Sequence, residues 1–302
     1  TITLADTGQN VTAENHAGGA GLVTINTGTL TSVTGTMTSA GNDTMKLELA
    51  HTTGVDISAV NMGAVDNVGL ATDAKGTMTI AQQNVINSAA GTGNKVTLTD
   101  AGTFNANSNV EEYVLLAAGG SIITLTDAGQ SVTTGADSAD TIDVAALTAT
   151  GTFNTVAADI IKISNNGNIA GVNGEGNGAG AAFTATNVTL VNDASVTMTA
   201  AQHNGFTGTV TAAGGEQITL STTGTVTGDA AIETYVLGGT GNTFTLGDAA
   251  QSVNTGAGGT NTIDFVALTA TGTITTQSTD VIKIGNNGNI AGVNGEGNGA
   301  GA

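Results

Sequence analysis

The chain repeats itself at an interval of 121 residues, and no other feature constrains its fold as tightly. "ITLTDAGQSVTTGA" at 123–136 returns as "FTLGDAAQSVNTGA" at 244–257, and "TIDVAALTATGTF" at 141–153 returns as "TIDFVALTATGTI" at 262–274. "VEEYVL" at 110–115 returns as "IETYVL" at 232–237. Earlier stretches fit the same frame: "NVGLATDAKGTMTIAQQN" at 67–84 matches "NVTLVNDASVTMTAAQHN" at 187–204, and "ITLADTGQNV" at 2–11 matches 123–132. The string "NNGNIAGVNGEGNGAGA" at 165–181 recurs letter for letter at 286–302. The organisation read from this is a partial unit at 1–66, a full unit at 67–187 and a near-complete unit at 188–302. Units in series bury little alone and need their neighbours to close a core.

Within each unit there is a finer rhythm. Short stretches such as "ITLTD", "TIDF" and "VIKI" place Val, Ile, Leu or Phe at every second position, which predicts strands with one buried face. Gly, Asn, Asp, Ser and Thr fill the gaps and supply turns. Taking strand starts at Val188, Ile218, Phe244, Ile263 and Ile282 gives spacings of 19–30 residues, the size of one coil. The expected fold is all-β: a parallel β-solenoid of about five coils per 121-residue unit. The chain has no proline, which suits a ladder that needs every interior N–H. The alternative is a series of β-sandwich domains, against which stands an aromatic content of only 3%. Helix is expected to be minor, a turn or two in "AQQNVINSA" at 81–89 or "VDISAVNMGAV" at 55–65.

Composition removes several classes of function. Five lysines and no arginine stand against 24 acidic residues, for a net charge of −19. Such a chain cannot neutralise a phosphate backbone, so nucleic acid is excluded as a partner. No apolar run reaches the length of a spanning helix, and no membrane insertion is expected. The chain has no cysteine, which removes disulfides and thiol chemistry. Its three histidines sit in unlike contexts, and His203 becomes Gln83 in the matching unit. No catalytic residues are therefore assigned, and the chain reads as a non-enzyme.

Hard-cation ligands are the remaining chemistry. Asn173, Glu175 and Asn177 alternate with glycine, the rhythm of a calcium loop, and the second copy offers Asn294, Glu296 and Asn298. The twelfth position is Thr184 rather than a bidentate Glu, so a plain glycine loop with asparagines in left-handed turns competes with that reading. A second candidate set is the acidic turns: Asn42 and Asp43 in "GNDTM", Asp140 and Asp143 in "ADSADTIDV", and Asp264 in "TIDF". The Asp-x-x-Lys pairs Asp43/Lys46, Asp159/Lys162 and Asp280/Lys283 are expected to be solvated charges. Thr-x-Thr strings could order water on a flat face, but uneven coil spacing would not align every rank.

The "GNDT" and "TGADSADTID" turns and the "DVAALTATGTF" strands, set in a Thr/Gly/Ala/Asn-rich acidic chain, resemble bacterial surface-layer proteins and RTX-related repeat adhesins. That resemblance implies a secreted, β-rich scaffold at the cell surface that assembles with calcium. The function expected is an extracellular structural protein that self-assembles into a surface layer, sheath or filament, with cell-surface polysaccharide as a further partner. The alternatives are an adhesin or fibre stalk, an ice-binding solenoid, and, least favoured, an extracellular enzyme acting on polysaccharide.

Overall fold

A computed structural model describes residues 1–13, 21–39, 43–63, 65–116, 119–136, 139–256, 259–266 and 268–295. The chain forms two compact units, Thr1–Asp140 and Thr141–Ala302. Each is a parallel β-solenoid, with about 14 coils between them.

In the first unit, strands Ile2–Thr3, Leu22–Asn26, Thr44–Leu49, Asn67–Leu70 and Ile86–Ala89 stack as one sheet. Val55–Asp56, Lys75–Met78, Lys95–Leu98, Glu112–Leu115 and Ser131–Thr133 stack as another. In the second unit one column runs through Val196, Ile218, Tyr235, Val253, Ile274 and Gly295. A third face stacks Thr225–Thr227, Thr243–Thr245, Thr262–Phe265 and Val281–Ile284. Every one of these pairings is parallel and joins a strand to one a full coil away. Sandwich domains, whose neighbours run antiparallel, are thereby ruled out.

The alternation seen in the sequence is the burial pattern. Lys95–Leu98, Gln217–Leu220 and Thr234–Leu237 each bury the second and fourth residue and leave the others half-exposed. Burying each such Val, Ile or Leu contributes roughly 1.5–3 kcal/mol. Inside the coils the few aromatics meet one another across faces: Tyr235 packs 4.6 Å from Phe244, and Phe183 bridges Phe153 and Phe206 at 6.0 and 5.9 Å.

The coils are shorter than the sequence spacing suggested. The column from Val196 to Gly295 takes five steps over 99 residues, about 20 per coil, so a 121-residue unit holds about six coils rather than five. The reason is that a coil has more than one strand-bearing face. Val188 pairs with Val210, and Ile218 pairs with Val196, so the apparent 30-residue step from Val188 to Ile218 crossed from one face to another. Of the two suggested helical stretches, the first holds the helix Ile80–Gln83, repeated as Ala200–Gly205. Both begin in a capping box, Thr79 with Gln82 and Thr199 with Gln202. The second stretch holds strand Val55–Asp56 followed by turns.

Candidate functional site

The acidic candidates lie at two positions of the coil. The first is the residue immediately before a strand. There Asp43 accepts the Gly21 N–H at 2.7 Å, and Asp140 accepts those of Ser121 and Gly135 at 2.7 and 3.3 Å. The second unit continues the device with two amides and a carboxylate: Asn242 accepts from Gly224 N, Asn261 from Asn242 N, and Asp280 from Asn261 N, at 3.0, 3.0 and 2.7 Å. Each side chain reaches back one coil to satisfy a backbone donor that the ladder leaves open. The substitution of Asn261 for Asp140 between copies follows directly, since the position demands an acceptor oxygen and not a charge.

Burial pushes the Asp280 carboxyl up, but bonds from the Thr255 hydroxyl and the N–H groups of Gln277 and Asn261 outweigh it, and the group is held below the usual range. Glu216 behaves alike: burial opposes its charge, while the Ala213 and Gly214 N–H groups more than compensate.

The second position is on the strand itself. Asp143 bonds Lys162 at 2.7 Å and Asp264 bonds Lys283 at 2.5 Å, each lysine coming from the next coil. The Asp-x-x-Lys residues are thus not simply solvated charges. Asp43 and Asp159 are buried, and Lys162 and Lys283 take their partners from a neighbouring coil rather than from three residues away.

The repeated loop is a folded element. Asn173 Oδ1 accepts the Gly178 N–H at 2.6 Å. Glu175, in a left-handed conformation at φ 54°, accepts from the Thr155 hydroxyl at 2.8 Å and from the N–H groups of Thr155 and Thr184. Asn177 contributes a backbone bond to Gly174 O. Left-handed asparagines do occur in this string, at Asn166 and its copy Asn287. Asn294 starts the short strand Asn294–Gly295, stacked on Thr273. Asn42, Glu296 and Asn298 lie outside the described residues.

The described candidates are used chiefly inside the fold. Most of the candidate oxygens are engaged by N–H groups, hydroxyls or ammonium groups, Asp264 Oδ1 being a buried oxygen that lacks a partner, and among the described residues no three His, Cys, Asp or Glu side chains converge. The threonine ranks align only briefly: Thr225, Thr243 and Thr262 stack in register, then Val281 follows.

Two sets of residues went unread in the sequence. Gln82, Gln130, Gln202 and Gln251 are buried at coil corners. Each accepts backbone N–H bonds from its own turn, and its amide donates to carbonyls of the preceding coil, Gln130 to Asn107 O and Val110 O for example. The recurrence of Gln within "DAGQSV" and "DAAQSV" carried that signal. The other is His203, whose Nε2 lies 3.0 Å from Tyr235 Oη, as Gln83 lies 3.3 Å from Tyr113 Oη in the first unit. Both tyrosine hydroxyls accept a turn N–H, from Asp229 and Asn107, and burial pushes the Tyr113 phenol up to about 12.

Burial also pushes His203 below its ordinary 6.5, because the imidazolium is poorly solvated there. The unfolded chain then binds a proton that the folded chain refuses, so stability falls as pH drops below about 6.5 towards the folded value. His203→Gln, copying Gln83, is expected to remove that part of the loss. The check is the difference in thermal midpoint between pH 7.5 and 5 for the two proteins.

No protein-family model, curated protein or solved structure matches this chain.

Proposed function

We propose that this chain is an extracellular structural protein, a stiff solenoid element that self-assembles into a surface layer, sheath or filament. The observation that carries the reading is where its polar chemistry goes. Asp140, Glu175, Asn242, Asn261, Asp280 and the corner glutamines all tie one coil to the next. A fold that commits its carboxylates and amides to internal bracing suits a building material. Repetition adds regularly spaced, near-identical outer faces, which favour lateral contacts between copies.

Calcium enters this proposal through charge, not through a built site. A net charge of −19 makes copies repel when they approach side by side, and a divalent counterion relieves that repulsion. Negative-stain electron microscopy of the purified chain, with calcium and with a chelator, tests both parts. Ordered arrays or filaments are expected in calcium, dissolving on chelation. Arrays that survive chelation remove calcium from the proposal, and dispersed particles under both conditions overturn the scaffold itself.

A further inference from the structure

The second unit contains a hollow with an apolar floor that its counterpart in the first unit lacks. It has a volume of about 350 Å³ and lies between the helix Ala200–Gly205 and the strand Thr225–Thr227. Its floor is apolar core, formed by Val188, Met198, Ile218 and Ile232, and Phe206 makes one wall. The rim is polar: Asn204, Thr225 and Thr227 are exposed, and Asp229 is half-buried.

The matching place in the first unit shows how the hollow arises. There Ile86, aligned with Phe206, enters a strand and lies directly against Val68. The chain then reaches Tyr113 from Asn84 in 29 residues, whereas Asn204 to Tyr235 takes 31. The two additional residues let the helix run six residues instead of four and leave Phe206 at its C-terminal cap. Val188 pairs instead with Val210. The first unit's counterpart, about 460 Å³ in volume, is more open and mostly polar, lined by Gln83, Asn84, Thr103, Asn105 and Asn107, with Phe104 as its one large apolar residue. An apolar floor is therefore particular to one copy, although the bracing around it is shared. Hollows of this size, apolar within and polar at the mouth, are the usual form of small-molecule sites.

Charge selects among ligands. Among the described residues Asp229 is the one charged side chain lining the hollow, its Oδ1 already holding the Ala231 N–H at 2.9 Å in a local turn. His203, beside it, is kept neutral at physiological pH by burial, and the chain as a whole is strongly acidic. An anion meets repulsion, and a wholly apolar molecule gains nothing from the carboxylate.

We propose that this hollow binds a small amphipathic cation, a ring-sized apolar body carrying an ammonium group directed at Asp229. The probes are benzylammonium, benzyl alcohol and benzoate, added to the full chain carrying ¹³C-methyl methionine. Met198 lies on the floor, so its methyl resonance reports entry. Benzylammonium is expected to shift it at millimolar concentration, benzyl alcohol about tenfold more weakly for want of the ion pair, and benzoate not at all. Asp229→Asn keeps an acceptor for Ala231 N–H and is expected to bring benzylammonium down to the level of benzyl alcohol. Thr227→Trp, which blocks the mouth, is expected to abolish all shifts. No Met198 shift with any probe, benzoate binding as tightly as benzylammonium, or an Asp229→Asn chain that keeps the preference would each overturn the proposal.

Discussion

A chain carrying Gln251→Leu is expected to lose about 3–5 kcal/mol of stability, at about 1–3 kcal/mol for each stranded group and less where water can reach it. Gln251 is buried, and its amide serves four backbone groups at once. Its oxygen accepts the N–H groups of Gly247 and Asp248 at 2.8 and 3.2 Å, and its nitrogen donates to the carbonyls of Asp229 and Ile232 at 2.6 and 3.1 Å. Leucine fills a similar volume and offers none of these bonds. The corner turn and the preceding coil would lose their common anchor together. Gln277, whose side chain is exposed, supplies the control: Gln277→Leu is expected to change stability by no more than about 0.5 kcal/mol. Urea unfolding followed by circular dichroism compares the two, and equal midpoints would mean that the corner glutamines do not brace the coils.

That glutamine also shows what a sequence of this kind conceals. The solenoid was legible because two independent periods agreed, the 121-residue repeat and the two-residue alternation in strands such as Ile160–Ile163. Coil length was not, because alternation is the same on every face of a coil. Only pairing distinguishes the column through Val188 and Val210 from the column through Val196 and Ile218. Gln130 and Gln251 stood in plain view inside a repeated string, yet a polar residue in a glycine-rich turn reads as solvent-facing until the coil beneath it is known.

The acidic candidates carried a different ambiguity. Asp140, Asp143 and Asp264 have the spacing of ligands, but a carboxylate that accepts backbone N–H bonds and one that binds a cation are written with the same letter. The substitution of Asn261 for Asp140 was the clue available in the sequence itself, since exchange of charge for amide suits a hydrogen-bond acceptor better than a hard-cation ligand. The hollow at His203 could not be seen at all, because it depends on two additional residues whose effect is to move Phe206 out of a strand.

Gly272→Ala is expected to be as damaging as the loss of a corner glutamine, for the opposite reason, an atom too many. The glycine of "TATGT" does not hold a left-handed conformation, so backbone preference does not explain it; space does. A methyl group there would lie 2.0 Å from Gln251 O, 2.5 Å from Gln251 C and 2.8 Å from Ala250 O. All three are backbone atoms of the preceding coil, and no side chain can turn aside to make room. The segment is fixed on both sides, since Thr271 N–H bonds Ala249 O at 2.7 Å and Asn294 N–H bonds Gly272 O at 3.1 Å. Relieving the clash means prising one coil from the next, at a cost of about 3 kcal/mol or more. Each coil is held chiefly by its neighbours, so the damage is expected to start locally, with faster hydrogen exchange at the Thr271 and Asn294 amides before the rest of the unit responds. Gly8 is the matched control, because a methyl group added there would meet nothing within 4 Å, and Gly8→Ala is expected to be neutral within about 0.5 kcal/mol. Unchanged exchange at those two amides in Gly272→Ala would show that the coils tolerate a wider spacing than their hydrogen bonds imply.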